Sequence, residues 1–503
     1  MAKKIILFYF FISSLCSFAL AQHEGSKADS YYHVLRGAQL RAEGQFGKAE
    51  SEYLKAIQQS SYPEDIFSTL AELYFEMWKW GKSEDSAQKA LACNPDNVQA
   101  HEILGKIYLA RTLSARTNET TKYDFARRAK EEYIKVISLD LKNEEAYYSL
   151  ARICLILSQF EEAEQYYFRY TEINPFSDTG FLNLGELQLE RGKLEEAQKN
   201  LQKVLSINSR NYKGYLLLGK SYELNNFWED AASLYEKALE HFSQDILFLN
   251  RLGFSHYILK NYEKALSVLE DVFQVESSNS QALLTKAKVL HETKKLEEAE
   301  KAYRRLIEVD EDNLEAHLSF AFFLEEKRDY KGAISEYEFL IEKDANPPSK
   351  RSFFYSFRLG ILYERQKKHL SAEKYLRKSL ESNPNSPEAL NYLGYMLVEN
   401  DKKIEEALEF IKKALTIDPE NGAYLDSLGW AYFKQKDYTK AEFYLNKAVD
   451  KLQNDSVIND HLGDLYFQLK ERNKAIKYWK KALESNIEYK DRVKKKIERA
   501  LRE

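Results

Sequence analysis

Residues Tyr212–Asp245 read YKGYLLLGKSYELNNFWEDAASLYEKALEHFSQD. Two runs lie inside these 34 residues, the first with Leu216, Gly219 and Tyr222, the second with Ala231, Tyr235 and Ala238. Spacings of three and four place each set along one side of a helix, so the stretch predicts two amphipathic helices joined by a short turn. Gly219 and Ala231 are small, which lets the helices approach closely; Tyr222 and Tyr235 are placed to fill the space between one such unit and the next.

The same small residue recurs along the whole chain, at Gly37, Ala71, Gly105, Ala151, Gly185, Gly219, Gly253, Ala287, Ala321, Gly360, Gly394, Gly429 and Gly463. Nine of the twelve steps are 34 residues; the others are 46, 39 and 35. A helical hairpin repeated at a fixed period cannot bury its apolar faces alone and does so by stacking on its neighbours, so the period predicts an array. Thirteen units with their inserts run from Ser30 to Tyr489 and leave no room for a separate catalytic domain. Proline follows the second helix in several units (Asn94-Pro95, Asn174-Pro175, Asn383-Pro384, Asp418-Pro419), ending the helix and starting the turn.

These units resemble tetratricopeptide repeats, and the resemblance covers nearly all of the chain after the N-terminal segment. It implies an all-α, right-handed superhelical solenoid of about thirteen helix pairs. The first unit departs from the pattern, with Ser61 where proline is usual, as a terminal repeat does. After the last unit, Val493, Ile497, Ala500 and Leu501 form an apolar stripe, so 490–503 is expected to be a helix capping the final repeat. Repeat three gains twelve residues around Arg111–Tyr123, read as a protruding loop or as extra turns on both helices. A five-residue insert containing Asn346-Pro347-Pro348-Ser349-Lys350 marks a hinge, dividing repeats one to nine (30–345) from repeats ten to thirteen (346–489).

The N-terminus is a different object. Lys3 and Lys4 precede an apolar run, Ile5–Leu20, that ends in Ala19-Leu20-Ala21. This reads as a signal peptide (1–21) cut after Ala21, followed by a short lead (22–29), and hence as an exported, periplasmic or envelope-associated protein. Membrane association is expected only if Cys16 is lipidated, and Leu15 before it is not the small residue such processing wants. Removing Lys3 and Lys4 moves the net charge from −5 to −7, and charges of both signs are interspersed, which argues against nucleic acid as a partner. Lys494-Lys495-Lys496 reads as the solvated side of the capping helix. The remaining cysteines, Cys93 and Cys154, lie two repeats apart, too far for a disulfide, and are read as small buried residues.

No chemistry stands out. Nine histidines are scattered without H-x-x-x-H spacing, and no nucleophile elbow or phosphate loop is found. Acidic pairs such as Glu195-Glu196 and Glu405-Glu406 open second helices, where the helix N-terminus favours them. The chain is read as non-enzymatic, without cofactor or metal. In the tetratricopeptide family the concave face is lined by first-helix residues six and three before the small position and one and four after it. In the N-terminal half these are polar, for example Asp65, Glu72, Gln99, Glu102, Lys106, Glu145 and Arg152. From repeat ten onward they include Phe354, Phe357, Asn391, Tyr395, Asp426, Trp430, Phe433, Asp464 and Phe467. An apolar patch there predicts a groove for a protein or peptide partner, with the polar members bonding an extended backbone. No repeat pairs lysine three before the small position with asparagine just after it, so a carboxylate clamp of the chaperone-binding type is not expected.

Asn391-Tyr-Leu-Gly-Tyr395, Leu425-Asp-Ser-Leu-Gly-Trp430 and His461-Leu-Gly-Asp464 are similar to bacterial exported repeat proteins, among them lipoprotein adaptors of carboxyl-terminal-processing proteases. The resemblance implies a scaffold or adaptor. A self-associating or docking component of an envelope or secretion assembly stays open beside it.

Overall fold

The computed structural model describes residues 25–114, 118–344, 349–401, 403–484 and 490–502. The expected signal peptide (1–21), Pro347 and Pro348 of the expected hinge and the centre of the repeat-three insert lie outside the described residues. The described residues form 27 helices and no strand. They fall into two compact units, 1–261 and 262–503, divided in the turn within repeat seven. No described helix is long and apolar enough to cross a membrane.

Repeat six shows how each hairpin is built. Its helices span Tyr212–Leu224 and Trp228–His241. Asn211 caps the first, its Oδ1 accepting the Gly214 N–H at 2.8 Å. Asn226 takes a left-handed conformation (φ 57°), and the Phe227 N–H closes back on the Tyr222 carbonyl at 2.9 Å, which stops the helix and turns the chain. The Tyr235 ring lies directly on Gly219, leaving no room for a Cβ there, and is 6.1 Å from Phe248 of the next repeat. Tyr235 therefore fills both its own hairpin and the seam beyond. Tyr222 reaches back instead, accepting a hydrogen bond from Gln202 at 2.8 Å.

The inserts follow from this contact. In most repeats the residue packed on the small position comes sixteen later, as Leu201 on Gly185 and Leu376 on Gly360. In repeat three the partner of Gly105 is Tyr133, and in repeat eleven that of Gly394 is Ile411, so both inserts fall between the helices of a hairpin. Repeat three spends its insert on longer helices, Val98–Leu113 and Glu119–Leu139. Repeat ten begins early, at Lys350 after the Ser349 cap. Tyr337 and Phe354, on the helices that flank 345–348, are 6.4 Å apart.

Three expectations change. Cys154 is buried, but Cys93 is exposed, because it ends its helix on the solvent side. The capping helix spans Lys490–Arg502 and buries Val493 and Ala500, with Ile497 packed against the core; Leu501 points away and is exposed. The lead is not separate, since the first helix starts at Gly25.

Candidate functional site

First helices of several neighbouring repeats touch, among them those of repeats two and three and of repeats eleven to thirteen. In repeats one to three the polar residues are occupied by one another. Arg41 binds Glu72 at 2.9 Å, Gln99 donates to Glu72 at 3.3 Å, and Ser68 donates to Gln99 at 2.9 Å. Asn97 donates to Asp65 at 3.2 Å, and Lys106 pairs with Glu102 one turn away. Such a ladder spends its hydrogen-bonding capacity within the array.

The face is different in repeats nine to eleven. Phe322, on the helix Leu314–Glu326, is 42% exposed. Its ring is 5.9 Å from Phe354 on Lys350–Arg365, where Phe353 and Phe357 stack at 6.0 Å. Phe357 meets Tyr392 edge-on at 6.0 Å, and Tyr395 lies one turn further along Pro387–Glu399. Phe354, Phe357 and Tyr395 are half-buried. Asn391 sits among them with a buried Oδ1 that accepts no hydrogen bond. Arg358 closes the outer side through Glu325, which also accepts from Tyr337 at 2.7 Å.

Further along, the expected groove residues are used internally. Trp430 is only 7% exposed: it stacks on Phe433 at 4.6 Å and on His461 at 4.0 Å, and its indole N–H donates to Glu399. Asp426 is buried and accepts from His461 Nδ1 at 2.9 Å. Burial works against a charged His461, yet the charge and hydrogen bond of Asp426, with Asp460 and Asp464 nearby, hold its pKa above the ordinary histidine value. Asp464 accepts from Trp479 at 3.1 Å and from Lys496 of the capping helix at 2.7 Å; burial keeps its pKa above the usual aspartate value despite that lysine. Lys496 also binds the fully buried Asp460, and Arg499 lies over Phe467, 5.4 Å from its centroid. Asp426 and Trp430 are thus interior residues, and Asp464 and Phe467 are covered by the cap. The reason is the tight approach of adjacent first helices in repeats eleven to thirteen, which turns an expected surface into a seam. Among the described residues no three metal-ligating side chains converge.

Models of the tetratricopeptide repeat match residues 257–319, 357–422, 400–460 and 458–486, and a model of the tetratricopeptide repeat protein 21 C-terminal ARM domain matches 113–281. The chain is a tetratricopeptide-repeat protein. Comparison with curated protein sequences gives no match. Among solved structures, this tetratricopeptide-repeat protein is similar to a chain of the APC/C hetero-tetramer Cut9–Hcn1, at 18% identity over 94% of this chain and 96% of that one, with a TM-score of 0.37. It is also similar to YrrB, described as a TPR protein with an unusual peptide-binding site (21% identity, 38% and 95% covered, TM-score 0.33). A third is pilF of Pseudomonas aeruginosa (21% identity, 43% and 96% covered, TM-score 0.35).

Of the sequence-read groove, then, Phe354, Phe357 and Asn391 lie on adjoining first helices of this tetratricopeptide-repeat protein, Tyr395 stands one turn from Asn391 with its ring 6.3 Å from that of His461, Phe433 lies half-buried beside Trp430, and the others serve packing. Phe322 is the member that sequence reasoning missed. It follows Ala321 by one residue, the same offset that selects Tyr395 after Gly394, so carrying the rule one repeat back finds it.

Proposed function

We propose that this chain is an exported, non-enzymatic scaffold or adaptor that holds a segment of a protein partner on the first-helix face of repeats nine to eleven. The observation that carries the reading is the set of aromatics Phe322, Phe354, Phe357 and Tyr395, exposed or half-buried on capped first helices. Water-exposed aromatics grouped on one face cost free energy unless a partner covers them, and such groups supply most of the affinity at protein interfaces. In repeats one to three, polar side chains on the equivalent face are consumed by their neighbours. The segment Lys3–Ala21 supports export, and the likeness of the C-terminal repeats to exported protease adaptors supports the adaptor role.

Photo-crosslinking tests this. A benzophenone amino acid at position 322, expressed in the source cell, is expected to give a discrete protein adduct. The same group at Phe176, which is 83% exposed in a turn of the other unit, is expected to give none. Equal adducts at both positions, or none at 322, would reject the assignment.

A further inference from the structure

The charge on this face narrows the partner. Across repeats nine to thirteen the four lining positions of each first helix hold seven carboxylates and no lysine or arginine. Most are neutralised within the array: Glu315 by Lys288, Glu325 by Arg358, Asp426 by His461, and Asp460 and Asp464 by Lys496. Glu364 and Glu388 are different. Glu364 accepts from the Tyr392 hydroxyl at 3.3 Å and Glu388 from the Ser386 hydroxyl at 2.9 Å, both neutral donors, and neither has a cation in salt-bridge range among the described residues. Glu399, exposed at the end of the same helix, accepts from the neutral Trp430 indole. Glu364 lies two turns along its helix from Phe357, and Glu388, in the first turn of Pro387–Glu399, lies two turns before Tyr395; the buried Asn391 Oδ1 on that helix accepts no hydrogen bond.

The last repeat shows one chemistry that meets acids and an aromatic ring on a first helix of this chain. There Asp460, Asp464 and Phe467, at other lining positions than Glu364 and Glu388, are covered by a strongly basic amphipathic helix that puts Lys496 on the two carboxylates and Arg499 on the ring. Charged pairs and a cation over an aromatic face gain most where water is partly excluded.

We infer that the partner segment is a cationic amphipathic helix, with apolar side chains on Phe322, Phe354 and Phe357 and lysine or arginine on Glu364 and Glu388. The inference rests on the proposed docking face and adds the sign and pattern of the ligand. Three fluorescein-labelled probe peptides of about five helical turns test it by anisotropy against the full chain: a Leu/Phe/Lys amphipathic helix, its counterpart with every lysine replaced by glutamate, and a third with lysines kept and apolar residues replaced by serine. The first is expected to bind at least tenfold more tightly than either other, and to weaken about tenfold with Phe322→Ser and about tenfold with Glu364→Lys/Glu388→Lys. These sites are exposed or half-buried, and circular dichroism checks that the variants fold. Tighter binding of the glutamate peptide, still lost with Phe322→Ser, would overturn the charge assignment and leave the docking face standing. Binding of the lysine peptide that ignores Phe322→Ser, equal binding of the serine peptide, or no binding by any probe would overturn the inference; insensitivity to Phe322→Ser would in addition count against the face.

Discussion

The imidazole of His461 lies flat on the indole of Trp430, ring centroids 4.0 Å and planes 10° apart, while its Nδ1 donates to Asp426 at 2.9 Å. This sandwich joins repeats twelve and thirteen. Because the folded state raises the His461 pKa, its contribution to stability is complete below the unfolded value of about 6.5 and is lost as pH rises through the folded value. Asp426→Asn removes the anion responsible. The stability gap between wild type and Asp426→Asn, from denaturant titrations followed by tryptophan fluorescence, is therefore expected to be larger at pH 6 than at pH 8.5. A gap that stays the same from pH 6 to pH 8.5 would show that His461 is neutral in the fold.

The capping helix is tied down by a lysine on a fully buried acid. Lys496→Ala leaves Asp460 without its nearest cation, with only Arg492 at 3.2 Å. Breaking a fully buried pair from one side costs about 3–5 kcal/mol, and the partial exposure of Lys496 lowers the expectation to about 1–3 kcal/mol. Amide exchange in Lys490–Arg502 and Ser456–Gln468 should accelerate before that of the other repeats.

The period itself rests on the small positions. A Cβ at Gly429 would stand 2.7 Å from Leu445 Cγ and 3.0 Å from the Leu445 backbone nitrogen, so Gly429→Ala is expected to cost about 1–3 kcal/mol. At Gly47, where a Cβ meets nothing within 4 Å, alanine should be neutral or gain up to about 0.5 kcal/mol. Thermal melts of the two variants distinguish these outcomes.

This contact explains how much was readable in advance. The small residue and its bulky partner recur at a fixed distance, so hairpins, array and most inserts could be read from residues such as Gly219 and Tyr235. The face was harder to read. Trp430 and Phe357 occupy neighbouring lining positions, yet one is buried and the other half-open, because exposure depends on the side chains of the adjacent repeat: His461 covers Trp430, whereas Tyr392 meets Phe357 only at its edge. A single-repeat offset carries no information about that neighbour. Cys93 and Leu501 fall outside the expected core for the same kind of reason, being at helix ends where no following turn covers them.

Within the hairpin turns, the left-handed residue is seldom glycine. Lys470 holds φ 63°, a conformation that costs an L-residue about 1–2 kcal/mol. Lys470→Gly relieves this, less the extra chain entropy of glycine, for an expected net gain of about 0.5–1 kcal/mol, whereas β-branched Lys470→Val should lose about 1 kcal/mol. Melting temperatures of the pair check the sign.

The most direct test compares partner retention by wild type and by Phe322→Ser/Phe354→Ser, using the protein crosslinked at position 322 as the quantified partner and Phe176→Ser as the control. Retention is expected to fall at least tenfold for the double variant alone, with its helical content unchanged. Full retention by a folded double variant, or an equal fall with Phe176→Ser, would contradict the assignment of repeats nine to eleven as the working surface.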